Sequence, residues 1–495
     1  MSTETTQPAT GQATGKPTST TPADSAYWRH RLTELIATYQ VPGASLGILR
    51  GGAITEVTAG VLSTETGAAA TPDSLWQIGS ISKVWTATLV LQLVDEGSLE
   101  LDQRVADVLP EFTLVDEAAA AEITVRQLLN HTSGMDGDVF TDTGRGDDCI
   151  ARYLEGTATI GQNHPVAATW SYCNSGYVVL GAIIERVTGQ TWDQALRSRI
   201  IEPLGLSHTT TLPEETMLHA AAIGHIGTPG QPPHPTPQLL LPRSMGPAGL
   251  ISSRVHDLLC FARAHLAGGV APDGERLLSE ESARRMTEHQ ATVPDPHTLG
   301  GDSWGLGWIR FDWGGHRLIG HDGTTLGQNA FLRILPGTDG DADDAFAVAL
   351  LTNGGRTREL YQQLFTELFI ELRGVRMPPA FAPPEDGPEL DLTPWLGTYE
   401  RASLTTQISV EDGTPMITQT MRGAMAELEP DSAVQRWPLV PVSEGLYAAT
   451  PPGMDTHLPI TFYQLDNGTR YVHYGVRANP MTDPATQQDA GEDAS

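Results

Sequence analysis

Apolar residues recur at steps of three and four through Val84, Ala87, Leu91 and Val94, the spacing of a helix with one buried face, and Gly97 stands where such a helix ends. The stretch Tyr177 to Val187 repeats the pattern with Val178, Leu180, Ile183 and Ile184, and Gly189 closes it. Residues 43 to 60 read differently. Ile48-Leu49-Arg50-Gly51-Gly52-Ala53-Ile54 predicts a strand, a glycine turn and a second strand. The region from about Gly305 to Asn353 is again strand-rich, with Phe331 to Leu335 and Phe346 to Leu351 flanking an acidic turn, and Arg356 to Leu372 reads as a covering helix. Together these elements predict an α/β (α+β) chain: an antiparallel sheet flanked by helices, beside an all-helical lobe.

Composition divides the chain further. Residues 1–24 are rich in Thr, Ser, Pro, Gly and Ala without an apolar core, and are expected to be disordered, as is the tail 481–495. Residues 25–372 carry the helix and strand pattern. Residues 373–390, with Pro378, Pro379, Pro383, Pro384 and Pro388, read as a stiff linker. Within 391–480, Leu396-Gly397-Thr398-Tyr399, Gln407-Ile408-Ser409-Val410, Leu446-Tyr447-Ala448 and Arg470-Tyr471-Val472-His473-Tyr474 predict a small β-domain of short strands.

The first candidate chemistry is Ile78-Gly79-Ser80-Ile81-Ser82-Lys83 at the start of the first helix. Ser80 and Lys83 lie one turn apart on one face. A serine hydroxyl is a poor nucleophile at neutral pH, and a desolvated lysine of lowered pKa can take its proton. Free backbone N–H groups at a helix start favour a developing oxyanion. Alone the pair is better read as a capped helix start with a solvent-facing lysine. Two more elements change that. Trp170-Ser171-Tyr172-Cys173-Asn174 spaces a phenol and an amide so that both face one pocket from an extended segment. Ile319-Gly320-His321-Asp322-Gly323-Thr324 reads as a strand whose glycine admits a substrate close to the backbone.

With these three elements the chain resembles the serine β-lactamase and penicillin-binding-protein superfamily. Order and spacing are most similar to the class C branch, with its esterases, D-amino-acid peptidases and peptide-cyclising thioesterases. Further similarity runs through Val41-Pro42-Gly43-Ala44, Thr124 to Gly134 and Trp304-Gly305-Leu306-Gly307-Trp308, so that it covers most of residues 27 to 372. The resemblance implies Ser80 as nucleophile, Lys83 as its activating neighbour, Tyr172 as the partner acid or base, and Asn174 as a ligand of the acyl side. It also implies an oxyanion hole from the backbone N–H groups of Ser80 and Thr324, and a β-domain like the lipocalin-like unit of some relatives. One departure matters: His321-Asp322-Gly323 stands where β-lactamases and carboxypeptidases usually carry Lys-Thr-Gly or Lys-Ser-Gly. Histidine is mostly neutral near pH 7, so the site lacks that fixed cation and penicillin recognition is put in doubt. Arg477, just after Tyr474-Gly475, is a candidate replacement for binding a substrate carboxylate, against the plainer reading of a surface arginine.

Other motifs fail on context. Gly43-Ala44-Ser45-Leu46-Gly47 spells a nucleophile elbow but continues as a strand, whereas an elbow joins strand to helix. The run from Asp339 to Asp344 begins like a calcium loop, yet Asp344 and Leu350 occupy the positions needing Gly and Glu. No metal or nucleotide motif appears, and no cofactor is expected. The formal charge of −30 disfavours nucleic acid and anionic membranes as partners. Neither an export signal nor a run of about 18 apolar residues is present, and three widely spaced cysteines suit a reducing compartment, so a cytoplasmic location is expected. The expected function is acyl transfer through an ester on Ser80, hydrolysing an ester or D-configured amide. One alternative is a penicillin-binding-protein-type thioesterase that cyclises or offloads a peptide from a carrier protein. Another is an acyl-ligand sensor that never turns over. The expected partner is thus a small-molecule or peptidyl acyl substrate.

Overall fold

The structure is a computed structural model and describes residues 25–227, 231–338, 344–423, 426, 433–451 and 456–482. The disorder expected for 1–24, most of the tail 481–495 and the acidic turn at 339–343 lie outside these residues.

Alternation of buried strands with turns builds an eight-stranded antiparallel sheet. Its order is Ala53–Gly60, Gly43–Arg50, Phe346–Thr352, Asn329–Leu335, His316–Thr324, Ile309–Trp313, Ser303–Trp304 and Ala291–Thr292. Phe346–Thr352 is buried at every position and Gly43–Arg50 at all but its last. Continuous burial of this kind requires cover on both faces. On one face the helices Ser25–Thr38 and Thr357–Arg373 contribute Trp28, Leu32, Leu360, Leu364 and Leu368 to a shared core with Leu46, Val348 and Leu350. On the other lies Val255–Leu266, and Gly47 admits it closely: a Cβ there would stand 2.6 Å from the Leu259 side chain. Ser45 is 1% exposed in mid-strand, so its Gly-x-Ser-x-Gly run makes no elbow.

The helical lobe centres on Ser82–Asp95 and Asn174–Thr188, whose side chains join Leu49, Ile319, Leu332 and Ala347 of the sheet in a second core. A stretch without helix or strand joins Arg373 to the 3₁₀ turn Thr393–Trp395. Beyond it, among the described residues, eight antiparallel strands, from Gly397–Arg401 to Arg477–Pro480, follow one another in chain order. The first and last nearly close the barrel, through the Tyr399 and Met481 bridge and a 2.9 Å bond from Thr482 N–H to the Thr398 carbonyl. Inward residues at a period of two, including Tyr399, Ile408, Ile417, Trp437, Phe462 and Val472, fill its interior. Among the described residues no helix is long and apolar enough to cross a membrane, and Cys149, Cys173 and Cys260 are free and buried.

Candidate functional site

Two glycines bring the turn that carries Ser80 against the sheet. Ser80 lies in the 3₁₀ turn Gly79–Ile81 that leads into Ser82–Asp95, so it precedes the α-helix proper. Gly79 has φ +52°, and a Cβ on it would stand 2.6 Å from the Thr324 nitrogen. A Cβ on Gly323 would stand 1.9 Å from the Ile78 carbonyl oxygen. The turn and the strand His316–Thr324 therefore touch backbone to backbone. This contact sets Thr324 beside the turn that carries Ser80, which is itself partly exposed.

Lys83 is wholly buried. Among the described residues its Nζ has three hydrogen-bond partners: Asn174 Oδ1 at 2.7 Å, the Ala248 carbonyl at 2.6 Å and Ser80 Oγ at 3.2 Å. Burial drives its pKa well below the ordinary lysine range, and Arg477 adds to this, while Cys173 and Asp138 oppose it. A neutral amine has two N–H donors and one lone pair. Asn174 Oδ1 and the Ala248 oxygen can only accept, so they take both donors and leave the lone pair for the Ser80 hydroxyl.

Tyr172 lies in the loop before Asn174–Thr188, and its ring is enclosed by Lys83 Nζ at 4.8 Å, Arg477 Cζ at 5.0 Å and the His131 ring at 4.4 Å. Its hydroxyl is buried. Burial raises its pKa, and Ser80 and Arg477 pull the other way. Ser80 is thus near enough to favour the phenolate, although the two hydroxyls close no hydrogen bond of good geometry. His131, at φ +60°, accepts the Cys173 N–H at Nδ1 over 3.0 Å, which fixes the Tyr172–Asn174 backbone from below and places the imidazole proton on Nε2. Cys173 itself is buried, with its thiol pushed up to about 12, and is not a nucleophile at neutral pH.

His321 has the opposite tautomer. Its Nδ1 donates to the Asp322 carbonyl at 2.6 Å, leaving Nε2 as a buried acceptor without a partner. Burial, with help from Lys83, lowers its pKa to about 3, so the ring is neutral. Asp322 points away to Arg333 at 2.6 Å and Arg358 at 3.0 Å, which anchors the strand. Thr324 is exposed and its hydroxyl donates to Asn329 Oδ1 at 3.0 Å.

Arg477 is not a free surface cation. Its side chain is 17% exposed and donates to Asp138 Oδ1 at 2.6 Å and to the Gly475 carbonyl at 2.8 Å. Asp138 also receives Arg401 and, at 3.2 Å, Asn174 Nδ2. Burial works against its charge, but the two arginines overcome that and hold its carboxyl at about 2. The structure thus gathers Ser80, Lys83, Tyr172 and Asn174 around one point, with His321 and Thr324 on the adjoining strand and Arg477 behind Tyr172. Sequence reading missed Asp138, Arg401 and the Ala248 carbonyl. None has a motif, since each acquires its place only from chain segments that are distant in sequence.

The family described as beta-lactamase matches residues 28–369. Penicillin-binding protein 4 of Amycolatopsis lactamdurans is 47% identical over 381 residues, which span 77% of this chain and 98% of that protein. The crystal structure of SurE superposes with a TM-score of 0.74 at 27% identity, covering 93% of this chain and 99% of that one. SurE with D-Leu superposes with a TM-score of 0.71 at 28% identity, covering 93% and 100%. A D-stereospecific amidohydrolase from Streptomyces sp. gives a TM-score of 0.55 at 27% identity, over 71% of this chain and 99% of its own.

Proposed function

The chain belongs to the β-lactamase family and is a serine hydrolase, and from that premise we propose that it transfers a D-configured acyl group through an ester on Ser80. The observation that carries this reading is the donor balance around Lys83, which leaves a lone pair facing the Ser80 hydroxyl. Ser80 Oγ attacks the substrate carbonyl while its proton passes to Lys83 Nζ. The carbonyl oxygen becomes an oxyanion held by the backbone N–H groups of Ser80 and Thr324. On collapse, the proton reaches the departing amine or alkoxide by way of Tyr172, leaving the acyl group on Ser80. A second nucleophile then reverses the sequence. It gives its proton to the Tyr172 and Lys83 pair and releases Ser80.

Likeness to a D-stereospecific amidohydrolase and to SurE holding D-Leu supports a D-configured ester or amide as the substrate. A neutral His321 gives no fixed charge for a penicillin carboxylate, which argues against a drug-hydrolysing role. A second reading, in which an amine and not water receives the acyl group and a peptide is cyclised or offloaded from a carrier protein, is favoured by the barrel turn that packs against Tyr172 through Val476 and Arg477. A drier site restrains competing hydrolysis. A cytoplasmic location belongs to the same proposal, and cell fractionation checks it.

The test is the intact mass of wild type and Ser80→Ala over time, with a nitrophenyl ester, a penicillin and a D-terminal peptidyl thioester. A transient adduct on wild type alone, with product release, is the expected result. Free acid as the product supports hydrolysis, and a dehydrated cyclic product supports the second reading. A permanent adduct would instead make the protein a sensor. Absence of both adduct and turnover across the panel would sink the assigned chemistry.

A further inference from the structure

Two turns of the C-terminal barrel reach the candidate site. At the first, the Val476 carbonyl accepts the Tyr172 N–H at 3.0 Å and Arg477 pairs with Asp138. At the second, Arg401 pairs with the same Asp138, and the Ala402 N–H donates to Asp136 Oδ2 at 2.6 Å. The backbone N–H of Asp138 donates to Asp136 Oδ1 at 3.2 Å, so the loop from Asp136 to Asp138 is held between both turns. An ionised carboxylate only accepts hydrogen bonds. Asn174, whose Nδ2 donates to Asp138 Oδ1, must therefore present its Oδ1 to Lys83. With the amide turned over, its NH₂ would face Lys83 and compete with the Ser80 hydroxyl for the one lone pair.

We propose that Asp138, clamped by Arg401 and Arg477, is a positioning residue that fixes the Asn174 amide and through it directs the Lys83 amine at Ser80. The barrel is then part of the machinery that makes Lys83 a base. This rests on the reading of Lys83 as the base for Ser80. The groups facing Lys83 are Ser80, Asn174, the Ala248 carbonyl and the rings of Tyr172 and Tyr177, with neutral His131 and His321 nearby. Among the groups that act on its charge, Arg477 favours the neutral amine, while Cys173 and Asp138 favour the protonated one. Asp138 and Arg477, the two partners of this ion pair, therefore pull the amine in opposite directions.

That opposition provides the test. Turnover of a neutral nitrophenyl ester is followed against pH for wild type, Lys83→Ala, Asp138→Asn, Arg477→Ala, Arg401→Ala and Arg401→Lys. Misplacement of a catalytic group by a fraction of an ångström is expected to lower kcat about tenfold to a hundredfold in Asp138→Asn and Arg477→Ala. The acid limb moves to lower pH in Asp138→Asn, which removes a negative charge. It moves to higher pH, by about one pH unit, in Arg477→Ala. Arg401→Lys, which keeps the charge, restores part of what Arg401→Ala loses. A purely structural role would reduce the folded fraction and leave both limbs in place. Wild-type kcat in Asp138→Asn, or limbs that stay still or move the same way, would overturn the proposal. So would a loss in Arg477→Ala confined to carboxylate-bearing substrates, which would assign that arginine to the substrate. If Asp138→Asn does not fold, the Arg477→Ala limb and the Arg401 pair decide alone. Full turnover in Lys83→Ala would instead overturn the base on which the proposal rests.

Discussion

With Lys83 as the proposed base for Ser80, a buried lysine is expected to govern the pH response of the site. The Lys83 amine lies well below the ordinary lysine range because burial removes its hydration. In the proposed mechanism its neutral form is the active one, so turnover is expected to rise with pH through that lowered value and to be lost as pH falls below it. His321, neutral above about 3, adds no inflection between about pH 5 and 8. Profiles of log kcat/KM for wild type and His321→Asn check this, and a histidine limb that vanishes in the variant would contradict it. Lysine is also rare here: of thirty basic residues only Lys16 and Lys83 are lysine. An amine-reactive reagent is expected to leave Lys83 unmodified in the native protein and to label it in urea, as peptide mass mapping can show. Gly323 is the other decisive residue. Gly323→Ala sets a methyl 1.9 Å from the Ile78 oxygen, which must separate the strand from the nucleophile turn. Ester turnover should fall by about a hundredfold or more, measured beside a thermal melt.

At the scale of the element, the helix Ser82–Asp95 differs most from its sequence pattern. One buried face was expected from Val84, Ala87, Leu91 and Val94, yet every residue from Ser82 to Leu93 is buried. The polar positions that suggest a solvent face find hydrogen-bond partners inside. Thr86 Oγ1 donates to the Pro247 carbonyl at 2.8 Å, and Gln92 Nε2 to the Leu277 carbonyl at 3.0 Å. Such partners lie far along the chain, and periodicity carries no trace of them. A helix enclosed in this way holds Lys83 in a dry place and resists movement at Ser80. Trp85 stacks on Phe261 with ring centroids 4.0 Å apart. Trp85→Ala should therefore cost about 3–5 kcal/mol, read from urea unfolding. A loss under about 1 kcal/mol would mean that the core closes over the gap. By contrast, the helix beginning near Tyr177 was readable to within a turn. Its added residues start at Asn174, where the Cys173 sulfur caps the Gly176 N–H at 3.2 Å.

Across the whole molecule, the barrel and the sheet domain share one site. Ala478 N–H donates to Ser171 Oγ at 3.1 Å, next to the bond between Tyr172 and Val476. Ser171→Ala leaves that buried N–H unpaired, at a cost of about 1–3 kcal/mol. Hydrogen exchange should then quicken together in the segments around residues 170–174 and 474–480. Exchange that rises in one segment only would show that the two are not coupled.

The pairing of Ser80 with Lys83, the Tyr172 and Asn174 segment, the His321 strand and the strand-rich end were legible from residue order, because each depends on neighbours within a few positions of the chain. Short-range spacing decides which side chains share a face, and apolar periodicity decides which face is buried. Only the folded chain decided that Arg477 meets Asp138 and that Asn174 turns its oxygen to Lys83. The same holds for the Ala248 carbonyl, which takes the second amine hydrogen. Those contacts, of Lys83 with Asn174 and Ala248 and of Asp138 with Arg477, join residues 91 to 339 positions apart. They arise because burying two domains' apolar faces leaves each buried charge and amide to find its partner inside the fold.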